Sequence, residues 1–204
     1  MALLERKKKT IVFDLDGTIS DFENIDHEIV NEIFPNSKIV KLIDRIAWCI
    51  NRKDIIKNTM LILMIRLALY SFISCKSLKK VFNKYRQEYF FKTYKDLRKI
   101  YPRLEELSKK YRIRIISNNK YSSGIKYKKI KVRYMSSKLN FIRCLKKNRH
   151  NILYIIGNNL CDDILVAKSL NDKSIYVGKN SFVRFIADES FDNISRVIDY
   201  LDNL

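Results

Sequence analysis

Thr-Ile-Val-Phe-Asp-Leu-Asp-Gly-Thr, residues 10–18, is the stretch on which the fold of this chain depends. Three apolar residues precede two acids, Asp14 and Asp16, and Gly17 follows them. A short run rich in β-branched and aromatic residues that ends at a glycine predicts a buried strand. Side chains alternate along a strand, so a strand that stays extended through residue 16 would place both carboxylates on one face. Two like charges this close predict a neighbouring divalent cation, a phosphate or a shared proton.

The composition limits the fold class and the partners. The chain has 204 residues, with 4 glycines, 2 prolines and a formal net charge of +19. The length suits one or two domains, and the scarcity of glycine and proline argues against a turn-rich all-β fold. The charge attracts phosphate-bearing partners. Because lysines are spread along the whole chain and no nucleic-acid module accompanies them, a nucleic acid is a possible partner but not the favoured one.

The cysteines and histidines point to a reduced compartment and to carboxylate chemistry. None of the four cysteines has a Cys-x-x-Cys spacing, and the N-terminal residues do not resemble a secretory signal peptide. We therefore expect a cytoplasmic protein. The 2 histidines, His27 and His150, are too few to favour a His-based zinc site or a Ser-His triad.

Residues 20–94 have a helical pattern throughout. Apolar residues at helical spacing predict a four-helix insert. The predicted helices lie between Ser20 and Pro35, at about 37–51, at 54–74 and at about 77–92. The apolar stretch 60–74, interrupted by Arg66, is shorter than the roughly 20 residues that span a bilayer, so we expect no transmembrane span. A central helix of the insert is the favoured interpretation; a substrate-lining or self-association face and weak contact with a membrane surface remain open.

After residue 94, strands and helices alternate. A short helix is predicted at 102–110, beginning at Pro102. Strands are predicted at 113–117, 130–135, 152–156 and 174–177, and helices at 138–148, at 164–170 and in the C-terminal residues beyond Gly178. This alternation predicts an α/β fold with a parallel sheet covered on both faces, a three-layer Rossmann-like core. Because ligands bind beyond the carboxyl ends of such strands, we expect Asp14, Ser117 and residues 157–163 to converge.

The first of these strand ends carries a recognisable motif. Asp14-x-Asp16-x-Thr18 matches the Asp-x-Asp-x-Thr pattern of the haloacid dehalogenase superfamily, and the chain resembles a phosphatase of that superfamily. The resemblance implies that Asp14 is a nucleophile that forms an aspartyl-phosphate. It implies that Asp16 is the general acid for the leaving alcohol and then the base for water. In having an acid at position 16, the chain resembles the phosphatases and phosphomutases of the superfamily. Dehalogenases lack an acid at this position, and cation-pumping ATPases carry Thr there.

The same resemblance assigns the groups that bind the transferred phosphate. Ser117, at the end of the second predicted strand, matches the Ser or Thr of the second motif, and Asn118 is its candidate helper. Gly17 and Thr18 are further candidates for contacts with the phosphate. The third motif is a lysine that neutralises the nucleophile and the phosphoryl charge, and Lys138, at a predicted helix start, is the favoured candidate. The competing lysines are Lys120, Lys126 and Lys131.

The fourth motif is where the sequence departs from the superfamily. Members commonly have Gly-Asp-x-x-x-Asp, with acids that help to hold Mg²⁺, whereas here Gly157 is followed by Asn158. Mg²⁺ prefers oxygen ligands, and an amide oxygen can serve but brings no charge. Asp162 and Asp163 follow, and either could compensate. The candidate metal ligands are Asp14, the backbone carbonyl of Asp16, Asn158, Asp162 and Asp163.

The resemblance as a whole implies an enzyme with two parts. Residues 1–19 and 95–204 would form the α/β catalytic core, and residues 20–94 an all-helical cap. Arg45, Arg52 and Lys53 are cap residues that could meet an anionic substrate or could be solvated helix-face charges. The expected activity is Mg²⁺-dependent hydrolysis of a small phosphorylated metabolite by a monomer or homodimer. The alternatives are a phosphomutase of the same superfamily and a weak or inactive basic binding protein on the same scaffold, with nucleic acid as its candidate partner.

Overall fold

The computed structural model describes residues 8–51, 59–148 and 151–204. The strands within these residues are β1 (Thr10–Asp14), β2 (Arg112–Ser117), β3 (Lys126–Tyr127), β4 (Ile130–Tyr134), β5 (Ile152–Gly157), β6 (Lys173–Val177) and β7 (Glu189–Phe191). The helices are α1 (Phe22–Ile33), α2 (Lys38–Asn51), α3 (Thr59–Ile73), α4 (Leu78–Lys110), α5 (Lys138–Lys147), α6 (Leu165–Ser169), α7 (Ser181–Ile186) and α8 (Ile194–Asp202).

The described strands form one sheet with β1 at its centre. Their order is β3-β4-β2-β1-β5-β6-β7, and all neighbours are parallel except β3 and β4. All five residues of β1 are buried. A strand buried on both faces is typical of parallel sheets, which helices cover on each side. The predicted parallel sheet is therefore confirmed.

Helices cover both faces of the sheet. On one face, α4 and α8 contribute Leu97, Leu104 and Val197 to a core shared with Phe13 and Ile115. The opposite face packs against α5 and α6, whose buried residues include Ile142 and Ala167. The three-layer α/β architecture predicted from the sequence is confirmed.

The helical insert has an apolar core of its own. Helices α1, α2, α3 and the first half of α4 bury residues that include Ile29, Val40, Leu67 and Tyr85. Helix α3 is described from Thr59, so the predicted helix start at Asp54 lies outside the described residues, as do Arg52 and Lys53.

Helix α4 corrects the sequence-based prediction. A helix ending near residue 92 and a separate helix beginning at Pro102 were expected, but a single helix of 33 residues runs through Pro102. Proline removes the hydrogen bond to the carbonyl four residues earlier and usually kinks or ends a helix. Here buried residues continue at helical spacing on both sides, at Leu97, Ile100, Leu104 and Leu107, and packing on the sheet outweighs the local cost.

The apolar stretch predicted at 60–74 falls largely within α3, and its described side chains, from Leu63 onward, are buried along one side of the helix. Leu63, Leu67 and Tyr70 are buried, whereas Ile65 and Phe72 are 59% and 83% exposed. Within the parts of the chain that the structure describes, none of the helices has the length and apolarity needed to cross a bilayer. A self-association face or weak contact with a membrane surface through this stretch stays a prediction.

A second departure lies near the C-terminus. Only helical segments were expected after Gly178, but β7 adds a short strand at the sheet edge, paired with β6. Its three residues are too few to show an alternating pattern, so the sequence gives no signal for it.

Candidate active site

The turn after β1 brings the two acids of the first motif to the sheet edge. The strand ends at Asp14, and Asp16 lies beyond it in an isolated bridge with Ser20. Gly17 has a positive φ of 79°, which favours glycine. A Cβ at residue 17 would lie 2.1 Å from Nδ2 of Asn158, so glycine also allows the close approach of that side chain. The turn therefore directs Asp14 and Asp16 to different partners.

Asp14 belongs to a buried ion cluster. The Lys138 ammonium donates to Asp14 Oδ1 at 2.7 Å and to Asp163 Oδ1 at 2.6 Å. Thr18 donates a longer bond of 3.4 Å to Asp14 Oδ2. All four residues are buried. One cation is thus shared by two carboxylates in a region from which most water is excluded.

The start of α5 positions this lysine. Ser137 caps the helix by accepting from the backbone N–H of Asn140 at 3.3 Å, and Lys138 is the first helical residue. Lys138 is buried, whereas the competing lysines are exposed, namely Lys120, Lys126 and Lys131.

Asp16 is held by donors from two different parts of the fold. Ser117 Oγ, at the end of β2, donates to Asp16 Oδ2 at 2.6 Å and accepts from the Asn119 backbone N–H at 2.9 Å. The Tyr89 hydroxyl, from α4, donates to Asp16 Oδ1. Tyr89 was absent from the site predicted by the sequence, because an aromatic residue at helical spacing is indistinguishable from an ordinary core residue.

The segment after β5 separates the roles of its two acids. Residues Leu160–Ile164 form a π-helical turn, capped by Asn159, whose Oδ1 accepts from the Asp162 N–H at 2.9 Å. Asp163 is buried, and its two oxygens accept from Lys138 and from the Asn159 backbone N–H, the latter at 3.0 Å. Asp162 is half-buried and accepts from Asn118 Nδ2 at 3.2 Å. Asp162 is therefore the less constrained carboxylate.

Gly157 permits this packing. A Cβ at residue 157 would lie 2.1 Å from Oδ2 of Asp163. Any larger residue would displace the carboxylate that holds Lys138.

Burial sets the protonation of the site. Burial raises the pKa of Asp14 to about 7, and Asp163 and Asp16 act in the same direction while Lys138 opposes them. Burial also raises the pKa of Asp16, against the hydrogen bonds from Ser117 and Tyr89. For Lys138, burial alone would lower the pKa, but the two neighbouring carboxylates raise it above its ordinary value. The lysine is therefore charged at neutral pH, and Asp14 is close to its titration range.

The oxygen atoms near the turn fit a hard divalent cation. They come from carboxylates, amides and the backbone, the donors that Mg²⁺ takes in proteins. Asn118 Oδ1 is buried and has no hydrogen-bond partner among the described residues, so a cation or its water would satisfy it. Across the described residues, no three His, Cys, Asp or Glu side chains are grouped to hold a metal alone. A metal here would depend on amide and backbone oxygens, on water and on a substrate phosphate.

Comparison with known proteins gives matches at the level of structure. No protein-family model matches the sequence, and no curated protein matches it significantly. The structure of YfnB from Bacillus subtilis, described as a proposed haloacid dehalogenase-type hydrolase bound to magnesium, matches with a TM-score of 0.66 at 16% identity, over 97% of this chain and 100% of that chain.

Two further solved structures have similar folds. A proposed haloacid dehalogenase-like hydrolase from Burkholderia xenovorans matches with a TM-score of 0.58 at 10% identity, over 95% of this chain and 96% of that chain. A proposed phosphatase from Clostridium difficile matches with a TM-score of 0.53 at 15% identity, over 97% and 100% of the two chains. Likeness at such low identity concerns the fold. The chain has the fold of the haloacid dehalogenase superfamily, as its first motif predicts.

Proposed function

We propose that the protein is a Mg²⁺-dependent phosphomonoesterase that hydrolyses a small phosphorylated metabolite through an aspartyl-phosphate on Asp14. The observation that carries the proposal is the buried contact of Lys138 with Asp14 and Asp163 at the carboxyl end of the central strand. The contact joins a candidate nucleophile at the strand end, Asp14, to a fixed cation, Lys138. A second acid, Asp16, lies two residues after the nucleophile. A cytoplasmic location is part of the proposal.

The first chemical step forms the covalent intermediate. A carboxylate oxygen of Asp14 attacks the phosphorus, and the bond from phosphorus to the ester oxygen breaks. The Asp16 carboxyl gives its proton to the leaving oxygen, which departs as an alcohol. Burial raises the pKa of Asp16, which favours the protonated form that this step needs. Lys138 offsets the negative charge that gathers on the phosphoryl group.

The second step releases phosphate. Water attacks the phosphorus of the aspartyl-phosphate and gives a proton to Asp16, and the bond from Asp14 to phosphorus breaks. The free enzyme and inorganic phosphate result. Ser117 and Asn118, with Gly17 and Thr18 in the turn, are the groups we assign to the phosphoryl oxygens.

The residues that would hold Mg²⁺ are Asp14, the Asp16 carbonyl, Asn158 and Asp162. When bound, the ion supplies positive charge to the phosphoryl oxygens. We assign no metal contact to Asp163, because both of its oxygens are engaged by Lys138 and the Asn159 N–H. The amide at 158 contributes no charge, so we expect weaker metal binding than a carboxylate there would give.

We assign residues 20–94 to a cap that covers the site, with the core formed by residues 1–19 and 95–204. Closure of such a cap would exclude water and strengthen the electrostatic interactions at the phosphate. Helix α4 crosses the proposed boundary without a break, so it links the cap to the sheet.

Hydrolysis of p-nitrophenyl phosphate tests the proposal. We expect Mg²⁺-dependent turnover that EDTA abolishes and that Asp14→Asn eliminates. Asp199→Asn is a suitable control, because Asp199 is exposed and pairs with Arg103 away from the site. Robust turnover by Asp14→Asn would show that Asp14 is not the nucleophile. A panel of phosphorylated metabolites and end-phosphorylated oligonucleotides would identify the substrate class.

A basic binding protein on the same scaffold is the second candidate. The net charge of +19 and the amide at Asn158 favour it. It predicts negligible phosphatase activity with Mg²⁺ or Mn²⁺ and salt-sensitive binding to nucleic acid.

A further inference from the structure

Asp16 accepts a hydrogen bond from a residue of α4, and the first motif does not predict this contact. Among the described residues, the donors to its side chain are Ser117, on Oδ2, and Tyr89, on Oδ1. We propose that Tyr89 is a positioning residue that holds the Asp16 carboxyl in the orientation required for proton transfer to the leaving group. The inference rests on the proposed function, because it assigns a helper to the acid of that reaction.

The two donors differ in what else they must do. Ser117 is the group that we assign to the phosphoryl oxygens, so substrate competes with Asp16 for its hydroxyl. Tyr89 has no such second task, and its single phenolic O–H points to Asp16. Once Ser117 turns to the phosphate, Tyr89 remains to fix the acid. An acid without this contact would rotate about its side-chain bonds and meet the leaving oxygen less often.

The surroundings of Tyr89 fix its own orientation. The side chain is 0% exposed. Its ring contacts Phe22 edge-on, with centroids 6.2 Å apart, and Tyr121, with centroids 6.4 Å apart. It lies on α4, and a side chain locked by packing on a helix positions its partner better than one on a loop.

The same helix offers a matched control. Tyr85 lies one turn before Tyr89 and is also 0% exposed. Its hydroxyl donates to the buried carboxylate of Asp26, in the helical insert. Tyr85→Phe therefore removes the same group, at the same burial and from the same kind of partner, without touching Asp16.

The experiment compares two aryl esters that differ in their need for an acid. Phenol is a poor leaving group that requires a proton, whereas p-nitrophenol leaves readily without one. We measure kcat/KM with phenyl phosphate and p-nitrophenyl phosphate, since this ratio reports the steps up to loss of the alcohol. A general acid typically increases the rate of such a step by several powers of ten. Tyr89→Phe should therefore lower kcat/KM for phenyl phosphate about tenfold or more and have a small effect on kcat/KM for p-nitrophenyl phosphate.

The control and a double variant sharpen the result. Tyr85→Phe should change kcat/KM by the same small factor for both substrates. In an Asp16→Asn background, Tyr89→Phe should have no further effect, because the group through which it acts is gone. Replacing Tyr89 with p-aminophenylalanine keeps a donor at the same ring position and should restore the phenyl phosphate rate.

Several outcomes would overturn the inference. Tyr89 would be assigned to the fold alone by any of three results. These are an equal loss of kcat/KM for both substrates, an additive loss of kcat/KM in the Asp16→Asn background, and a Tyr89→Phe chain that does not fold. If the wild-type protein hydrolyses neither ester with Mg²⁺, the proposed function itself fails. If the wild type is active and Asp14→Asn is not, but Tyr89→Phe leaves the ratio of the two substrates unchanged, the inference about Tyr89 alone is wrong.

Discussion

Lys138 Nζ lies 2.7 Å from Asp14 Oδ1, although 124 positions separate the two residues in the sequence. The contact forms because β1 and the start of α5 meet at the carboxyl edge of the sheet. Asp163 completes the cluster, with its Oδ1 2.6 Å from the same ammonium. Loss of Lys138 would leave two buried carboxylates without their cation, whereas loss of one carboxylate would leave the lysine paired with the other.

Lys138→Met should abolish phosphatase activity and destabilise the protein. Breaking a buried ion pair by removing one partner costs about 3–5 kcal/mol, since a charge is left without compensation. Activity is measured with p-nitrophenyl phosphate and stability by urea unfolding. Lys131→Met is the control, because Lys131 was a competing candidate and is exposed. Turnover by Lys138→Met near the wild-type rate would remove Lys138 from the mechanism.

Asp14→Asn should stabilise the metal-free protein at neutral and higher pH. Burial first, and then Asp163 and Asp16, raise the pKa of Asp14 from 3.8 to about 7. The folded state therefore holds this proton more tightly than the unfolded chain, and the free energy of unfolding falls as the pH rises between these values. Asparagine carries no charge, so the variant avoids this loss.

The pH dependence gives this prediction its test. At pH 8 in EDTA, the variant should exceed the wild type by about 1–3 kcal/mol in urea unfolding, since the raised pKa of Asp14 already includes the opposing attraction of Lys138. The difference should shrink towards pH 4, where the wild-type carboxyl is protonated. Asp199→Asn should show no such trend if burial is the cause. A variant less stable than the wild type at pH 8 would contradict the argument.

Asn158→Asp should strengthen Mg²⁺ binding. A carboxylate in place of the amide adds a charge to the oxygen ligands, and Mg²⁺ sites usually depend on one or two carboxylates. The Mg²⁺ concentration that gives half-maximal activity should fall about tenfold, in line with the effect of charged ligands on divalent sites. Without metal the variant should be less stable, because a further negative charge joins Asp14 and Asp163. Asn203→Asp, on the exposed C-terminal end, is the control. An unchanged metal requirement would show that residue 158 lies outside the metal site.

The predictable part of the structure is the part with local patterns. Three features have a physical signal within a few residues: the buried run before Asp14, the polar ends of β2 and β5, and the serine before Lys138. Together they predict the sheet, which the structure confirms, and the candidate site, which stays a prediction. The prediction of two helices in place of α4 was wrong, because packing on the sheet outweighs the local preference of proline to end a helix. Tyr89 was missed for a related reason: its partner Asp16 is 73 positions away, and nothing local marks the contact.

The choice between Asp162 and Asp163 was also beyond the sequence. Adjacent acids look equivalent in a linear pattern. The π-helical turn gives them different directions, so that Asp163 is buried against Lys138 and Asp162 lies half-buried beside Asn118. Backbone geometry at that one turn decides which carboxylate is available to a cation.

Arg66→Met should destabilise the protein and leave the activity per folded molecule unchanged. Arg66 interrupts the apolar stretch of α3 and is buried, where its guanidinium donates to Asp26 at 2.8 Å and also pairs with Asp44. Methionine would fill similar space but leave two carboxylates without their cation, at a cost of about 3–5 kcal/mol.

Urea unfolding measures this loss, and kcat with p-nitrophenyl phosphate measures activity. Arg103→Met is the matched control, since Arg103 pairs with Asp199 at the surface, where such a pair contributes about 0–1 kcal/mol. Equal stability of the two variants would show that the buried network does not stabilise the insert. A fall in kcat for Arg66→Met alone would instead show that the interior of the insert affects the site, through α4, which carries both Tyr85 in the network and Tyr89 on Asp16.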